Sequence, residues 1–217
     1  MSLSISEDNG IALLQPDDLN ILSVGVSTGG IAEIRMAKGL PQRHIIATTI
    51  DEHGLNDAKK YIQEQGFEDQ IELRLEDVSE KLPYEDESFD YIYARLVLHY
   101  LSKDKLAATL KELFRVLKKD KILYVVVRSK ECPDANGPGV TYDETTGYTH
   151  YSNPIKDHPV PILQRFFHTE ESITKFVQDA GFKVEYVASY EERIYADFMR
   201  TVEAPHTDYL IELRAKK

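Results

Sequence analysis

Strand-like and helical segments alternate regularly over residues 20–128, and this alternation constrains the fold more than any other feature of the sequence. The segments predicted as strands are short, apolar and rich in β-branched residues, and they cover 20–24, 44–50, 70–75, 89–94 and 122–128. The segments predicted as helices carry apolar residues on one face and cover 29–38, 56–65 and 102–117. Strands joined through helices require right-handed crossovers, so the alternation predicts a parallel sheet with helices on both faces.

The alternation stops at Ser129. Residues 129–168 show no clear periodicity but are rich in aromatic side chains and proline. A long loop in a compact domain is usually a lid or a binding segment, so we expect 129–168 either to form a substrate lid or to cover the sheet edge. A helix is predicted after Thr169, and residues 183–190 and 207–214 are predicted as two further strands at the sheet edge. We expect a single domain over residues 1–217.

The amino-acid composition argues against several classes of binding partner. The chain has 37 acidic and 26 basic residues and a net charge of −11, which disfavours a non-specific nucleic-acid binder. Its single cysteine, Cys132, excludes an internal disulfide and fits a reducing compartment. No apolar run is long enough to span a bilayer, the first residues lack the features of a signal peptide, and no spacing indicates a metal site. We therefore expect a cytoplasmic monomer or homodimer without nucleic-acid, membrane or metal partners.

The stretch 20–33 joins the first strand to the first helix through a turn of small residues. Small residues let a ligand approach the backbone closely, and the start of the helix offers free N–H groups and a positive dipole end. Asp51 follows the second strand and Asp77 follows the third. Aspartate is common in ordinary turns, but ligands of open α/β sheets bind at the carboxyl ends of the strands. The joint placement of the two acids favours a ligand site.

Several separated blocks carry a resemblance to a known family. They are 21–29, Asp51, 76–83, 88–92, 95–100, 113–118, 165–169 and 179–182. Together they resemble the class I S-adenosylmethionine-dependent methyltransferases, of the type 11 and type 25 kind that act on small molecules. The resemblance implies an α/β fold with a Rossmann-like, doubly wound, seven-stranded sheet. This sheet would be mostly parallel with an antiparallel last strand, in the order 3-2-1-4-5-7-6.

The resemblance also implies that S-adenosylmethionine is the cofactor. The residues implied to contact it are Gly25, Val26, Ser27, Gly29, Asp51, Asp77, Val78, Arg95 and Leu96. The turn residues would lie at the methionine part. Asp51 would accept hydrogen bonds from the ribose hydroxyls, and Asp77 would accept one from the adenine amine, with Val78 against the ring. Arg95 and Leu96 would border the reacting sulfonium.

The implied reaction moves a methyl group to oxygen, nitrogen or carbon of a small molecule. A sulfonium already activates its methyl group, so a base is needed only where the nucleophile must lose a proton. His99 is the candidate base, or else a structural histidine. The candidate substrate contacts are Tyr100, Tyr148, Tyr151 and Arg165. Arg165 either binds an anionic substrate group or pairs with Glu170 or Glu171.

Two departures from the family pattern leave alternatives open. Ser23 stands where the family usually has an acid, and Ser27 stands where it usually has a glycine. These departures define the main alternative, a non-catalytic methyltransferase-fold protein with a binding or regulatory role and an eroded cofactor site. Residues 25–29 also match the G-x-S-x-G elbow of serine hydrolases, in which Ser27 would be the nucleophile. Such an elbow normally follows several strands, and none is predicted before residue 20.

Overall fold

A computed structural model describes residues 4–26, 29–152, 161–193 and 207–217. The strands, in chain order, are β1 (Asn20–Val24), β2 (His44–Thr49), β3 (Ile71–Leu75), β4 (Phe89–Arg95), β5 (Leu117–Arg128), β6 (Thr141–Tyr142), β7 (Thr149–Ser152), β8 (Ile162–Arg165), β9 (Lys183–Glu192) and β10 (Asp208–Lys216). The helices are α1 (Ile5–Ala12), α2 (Ile31–Lys38), α3 (Glu52–Gln65), α4 (Lys103–Val116), α5 (Pro133–Asn136) and α6 (Glu170–Asp179).

The seven long strands form one sheet in the order β3-β2-β1-β4-β5-β10-β9. The first five are parallel, and β10 runs antiparallel to both of its neighbours, β5 and β9. Because β9 and β10 are the sixth and seventh strands of this sheet along the chain, the order is the predicted 3-2-1-4-5-7-6. The prediction of a Rossmann-like, mostly parallel sheet with an antiparallel last strand is confirmed.

Two apolar cores lie on opposite faces of this sheet. One packs α4 and α6 against the sheet through buried side chains such as Leu110 and Ile173. The other packs α2 and α3 through Ile34 and Ile62, with α1 at its edge. Side chains alternate between the two faces along each strand, and in the central strands both sets are apolar and buried. This pattern is typical of a doubly wound sheet.

The N-terminal helix α1 is capped in its first turn by the Ser4 side chain. Two element boundaries differ from the prediction. Helix α3 begins at Glu52 rather than at residue 56, because Asp51 caps its N-terminus. Strand β5 begins at Leu117, where we predicted a turn up to Lys121. The pairing register between β4 and β5 shifts between Phe89 and Tyr91. This shift accommodates residues 118–121 of β5, which have no partner in the regular register.

The segment predicted without regular structure, 129–168, contains the short helix α5 and a three-stranded antiparallel sheet in the order β6-β7-β8. Strands of two to four residues are too short to produce a readable period. The Phe166 N–H donates to the His99 carbonyl at 2.8 Å, and the Tyr148 hydroxyl donates to the Tyr100 carbonyl at 2.9 Å. These bonds hold this small sheet over the carboxyl end of β4. Across the described ranges, no helix has both the length and the apolar character needed to cross a membrane.

Candidate functional site

The turn after β1 is shaped by Gly25. Its φ of +80° is in the left-handed region, and a Cβ at this position would lie 2.7 Å from the side chain of Val97. The N–H groups of Gly25 and Val26 donate to the Thr48 carbonyl at 3.0 and 2.8 Å, which ties the turn to β2. Gly29 is buried at the far side of the turn, and Ser27 lies outside the described residues. The turn is therefore closely packed against Val97, two residues after the end of β4, and needs glycine at position 25.

The two strand-end acids lie at the same edge of the sheet, since β2 and β3 are parallel neighbours. Asp51 is exposed, and its Oδ1 accepts the His53 N–H at 3.0 Å. Asp77 is also exposed, and its Oδ1 accepts the Ser79 N–H at 2.9 Å. Each carboxylate therefore uses one oxygen to shape its own turn.

Charge and apolar surface at this edge fit a ligand with polar and apolar parts. Partial burial raises the pKa of Asp77, but the hydrogen bonds from Ser79 and the charge of Lys105 outweigh it, so this pKa lies below its usual value. Asp77 is thus an ionised acceptor at neutral pH. Next to the two acids, Ile50 is 74% exposed and Leu75 is 58% exposed, although both are large apolar side chains. Our reading of the sequence missed these two, because exposure depends on the neighbouring elements.

The end of β4 has an unusual backbone. Leu96 has a φ of +57°, and its N–H donates to the Val126 carbonyl at 2.8 Å. A positive φ at a non-glycine residue stores strain and is frequent at functional sites. The preceding side chain, Arg95, reaches across the edge of the sheet. Its Nε donates to Ser6 Oγ at 2.7 Å, and its Nη2 lies 2.9 Å from Ser4 Oγ and 3.3 Å from a carboxylate oxygen of Glu192.

His99 lies in the short 3₁₀ turn that follows β4, and it is 1% exposed. Among the described residues, neither of its ring nitrogens has a hydrogen-bond partner. Burial, followed by the charges of Arg128 and Arg165 and by His168, lowers the pKa of His99 well below its usual value. The ring is therefore neutral at physiological pH, and it is a weaker base than a free histidine.

The four predicted substrate contacts come together, although they are far apart in the chain. The guanidinium of Arg165 lies 5.3 Å from the centroid of the Tyr100 ring and 5.6 Å from that of the Tyr151 ring. It also bonds to the Tyr151 hydroxyl, and Tyr148 bonds to the Tyr100 carbonyl. Arg165 pairs with Asp134 at 3.5 Å and not with Glu170 or Glu171, the pairing that was one of the two alternatives for this residue. The reason is that β8 turns the arginine toward α5 and away from the start of α6.

One buried pair was missed entirely. The Ser23 hydroxyl donates to Oε1 of Glu33 at 2.5 Å, and the two residues are 1% and 3% exposed. Ser23 is in β1 and Glu33 is in the first turn of α2, so the pair lies directly beneath the turn 25–30. In the sequence, the only available signal was an acid three residues into an otherwise apolar helix face. No group of three His, Cys, Asp or Glu side chains that could hold a metal is found in the part of the chain that the structure describes.

Comparisons with known proteins agree with this geometry. Residues 21–120 match the sequence model of the methyltransferase domain family. A SAM-dependent methyltransferase from Methanosarcina mazei superposes with a TM-score of 0.72 at 20% identity, over 100% of this chain and 99% of that chain. The 1,6-didemethyltoxoflavin-N1-methyltransferase of Burkholderia thailandensis, with 1,6-didemethyltoxoflavin and S-adenosylhomocysteine bound, superposes with a TM-score of 0.61 at 16% identity, over 98% and 78% of the two chains.

Other matches are less informative about the reaction. The [4+2]-cyclase SpnF has the same fold, with a TM-score of 0.65 at 19% identity over 97% of this chain and 79% of that one. A Haemophilus influenzae protein is 33% identical over 106 residues, which span 49% of this chain and 41% of that protein. The matched domain and the shared fold support S-adenosylmethionine as the cofactor. The chain is therefore similar to the methyltransferase domain family over residues 21–120, and it shares its fold with S-adenosylmethionine-dependent methyltransferases.

Proposed function

We propose that this protein transfers a methyl group from S-adenosylmethionine to a small molecule. The observation that carries the proposal is the pair of exposed carboxylates, Asp51 and Asp77, at the ends of adjacent parallel strands and beside the Gly25 turn. Ligands of open α/β sheets bind at such strand ends, and a carboxylate there is a good acceptor for ribose hydroxyls. The shared fold of the structurally similar methyltransferases supports this proposal.

The residues of this edge fit the cofactor part by part. Asp51 would accept hydrogen bonds from the ribose hydroxyls through the oxygen that its own turn leaves uncommitted. Asp77 would accept the adenine amine, with Val78 and the exposed Ile50 and Leu75 as apolar contacts for the ring. The predicted turn residues Gly25, Val26, Ser27 and Gly29 would lie at the methionine part, where the absence of a Cβ at position 25 allows close approach. Arg95 and Leu96 would border the sulfonium.

When bound, the cofactor supplies an activated methyl group, so the chain has to place the substrate, exclude water and, for some nucleophiles, accept a proton. The side chains of Tyr100, Tyr148, Tyr151 and Arg165 would form the substrate wall, within a lid formed by residues 129–152 and 161–168; the predicted lid residues 153–160 lie outside the described ranges. Tyr100 is 52% exposed and is the member of this group that a substrate reaches first. His99 is the proposed proton acceptor, because its ring is neutral and its nitrogens are unpaired among the described residues.

The alternative is a non-catalytic relative that keeps the fold. One observation favours it: Arg95, predicted beside the sulfonium, is already engaged by Ser4, Ser6 and Glu192. The hydrolase alternative receives less support, because the described residues before β1 form a helix and no strand.

Calorimetric titration with S-adenosylhomocysteine tests the proposal. We expect micromolar binding that is lost in Asp51→Ala, and transfer of labelled methyl groups from S-adenosylmethionine to a metabolite in a cell extract. Binding without any transfer would contradict the proposed activity. The absence of heat up to millimolar S-adenosylhomocysteine would refute the enzyme and support the non-catalytic alternative, whose cofactor site is eroded. Ester hydrolysis that disappears in Ser27→Ala would support the hydrolase.

A further inference from the structure

The carboxyl group of Glu33 is buried beneath the turn that joins β1 to α2. Glu33 is 3% exposed, and its Oε1 accepts the hydroxyl of Ser23 at 2.5 Å. Its Oε2 lies 3.8 Å from where a Cβ of Gly30 would be, so the carboxyl group is directed back toward the turn and away from the body of the helix. A buried acid in this position needs a physical reason, because burial of a charge is costly.

The charge of Arg95 acts on this acid, but Arg95 also pairs with Glu192 at 3.3 Å. Arg35, two residues further along α2, pairs with Glu7 at 2.5 Å and with Asp8 at 2.6 Å. Burial raises the pKa of Glu33 more than the hydrogen bond from Ser23 lowers it. A positively charged group of a bound ligand would therefore stabilise the ionised form of the Glu33 carboxyl group.

The position of the pair connects it to the proposed cofactor site. Ser23 lies in β1, two residues before Gly25, and Glu33 lies in the first turn of α2. Their side chains therefore meet beneath the junction of β1 and α2, where the methionine part of the cofactor is proposed to bind. Ser23 also stands where the resembling family usually has an acid. The structure thus supplies an acid at this place from the helix, ten residues later in the chain.

We propose that Glu33 recognises the ammonium group of the methionine part of the cofactor, in place of the acid that is missing at Ser23. Ser23 would orient the carboxyl group, and the ligand ammonium would place a positive charge next to it. Charge-assisted hydrogen bonds of this kind are among the strongest in proteins. This inference rests on the proposed function, because it requires that the cofactor binds at the 25–30 turn.

The test compares two ligands on Glu33→Gln. S-adenosylhomocysteine carries the ammonium group, whereas 5′-methylthioadenosine has the same adenosine and thioether but lacks the amino-acid part. Glutamine keeps the size of the side chain and an acceptor for Ser23, and it removes only the charge. We expect Glu33→Gln to weaken S-adenosylhomocysteine binding by about 10- to 100-fold and to change 5′-methylthioadenosine binding by less than about twofold. An equal effect on both ligands, or no effect on either, would overturn the proposal.

A second variant moves the acid back to the strand. In the double variant Ser23→Asp with Glu33→Gln, the acid and its hydrogen-bond partner exchange elements, and we expect S-adenosylhomocysteine affinity to return to within about fivefold of the wild type. If Glu33→Gln alone does not give a cooperative thermal melt, the double variant still tests the proposal. Binding of 5′-methylthioadenosine without recovery of S-adenosylhomocysteine binding would overturn the proposal. Failure of the proposed function looks different, since the wild type itself would then bind neither ligand.

Discussion

The carboxyl edge of the central sheet has two halves that are built in different ways. In the first half, at the ends of β1, β2 and β3, the polar side chains bond to their own turns: Asp51 and Asp77 each accept an N–H group two residues further along the chain. In the second half, at the ends of β4 and β5, partners come from distant segments. Arg165 and Tyr100 are 65 residues apart, and Arg95 and Ser4 are 91 apart.

This difference matches the two ligands that the protein is proposed to bind, a cofactor at the first half and a substrate at the second. A site built from local turns keeps its geometry when the rest of the chain changes, which suits a cofactor shared by a whole family. A site built from long-range contacts on an inserted sheet changes with each insertion, which suits a substrate that differs among relatives. We therefore expect mutations in the two halves to have separable effects.

The largest effect on stability is expected at the turn of the first half. Gly25→Ala requires a side chain at positive φ and places its Cβ 2.7 Å from Val97. Backbone strain and overpacking together should lower the free energy of unfolding by about 2–4 kcal/mol. The matched control is Gly66→Ala, which has a similar φ of +74° but no atom within 4 Å, and it should cost only about 1–2 kcal/mol. Equal losses in urea titrations would show that Val97 does not constrain the turn.

The independence of the halves can be tested with one ligand. Asp51→Asn retains an N-cap for α3 but removes the carboxylate, so we expect an unchanged melting temperature and S-adenosylhomocysteine binding that is weaker by about 10- to 100-fold. Arg165→Met removes the cation between Tyr100 and Tyr151 and should leave S-adenosylhomocysteine affinity within about twofold. Calorimetry measures both values. A large loss of cofactor affinity in Arg165→Met would contradict the separation.

The second half should also carry a pH response. Burial lowers the pKa of His168 to about 3, whereas an unfolded histidine titrates near ~6.5. As the pH falls below ~6.5, the unfolded chain takes up this proton first, so the stabilisation present above that pH is lost progressively toward pH 3. Between pH 7.5 and 5.5 this amounts to about 1.4 kcal/mol.

Urea unfolding at these two pH values measures the loss. His168→Asn should lose less stability than the wild type over this interval, by about 1 kcal/mol, since asparagine does not titrate. An identical pH dependence in His168→Asn and the wild type would mean that His168 is not responsible.

The smallest effect is expected for one hydrogen bond between the inserted sheet and the end of β4. Tyr148→Phe removes the hydroxyl that donates to the Tyr100 carbonyl at 2.9 Å, and it should cost about 0.5–1 kcal/mol of unfolding free energy. Tyr142→Phe removes a hydroxyl from an exposed ring of the same small sheet and should cost less than about 0.5 kcal/mol. Thermal melts of the two variants give the comparison. Equal melting temperatures would show that this contact does not stabilise the insertion.

Much of the first half was predictable from the sequence, because its signals are local. A glycine turn after an apolar strand, followed by acids at the ends of the next two strands, is determined by residues within a few positions of each other. The same local reasoning overlooked Glu33, because nothing in α2 itself indicates that a serine on β1 faces it. In the second half, residues Tyr100, Tyr148, Tyr151 and Arg165 were predicted as candidates. Their mutual contacts and the pairing of Arg165 with Asp134 were not predictable from local patterns.

The sequence by itself determined the order of strands and helices, the doubly wound sheet and the place of the glycine turn between β1 and α2. Apolar periodicity and strand-end residues act over one or two turns of chain, and the handedness of crossovers restricts the rest. Only the tertiary structure decided which side chains meet: Glu33 with Ser23 beneath the turn, Arg95 with the N-terminal segment, and His99 buried and neutral beside two arginines. Burial and charge at these positions are sums over segments far apart in the chain, so they exist only once the chain has folded.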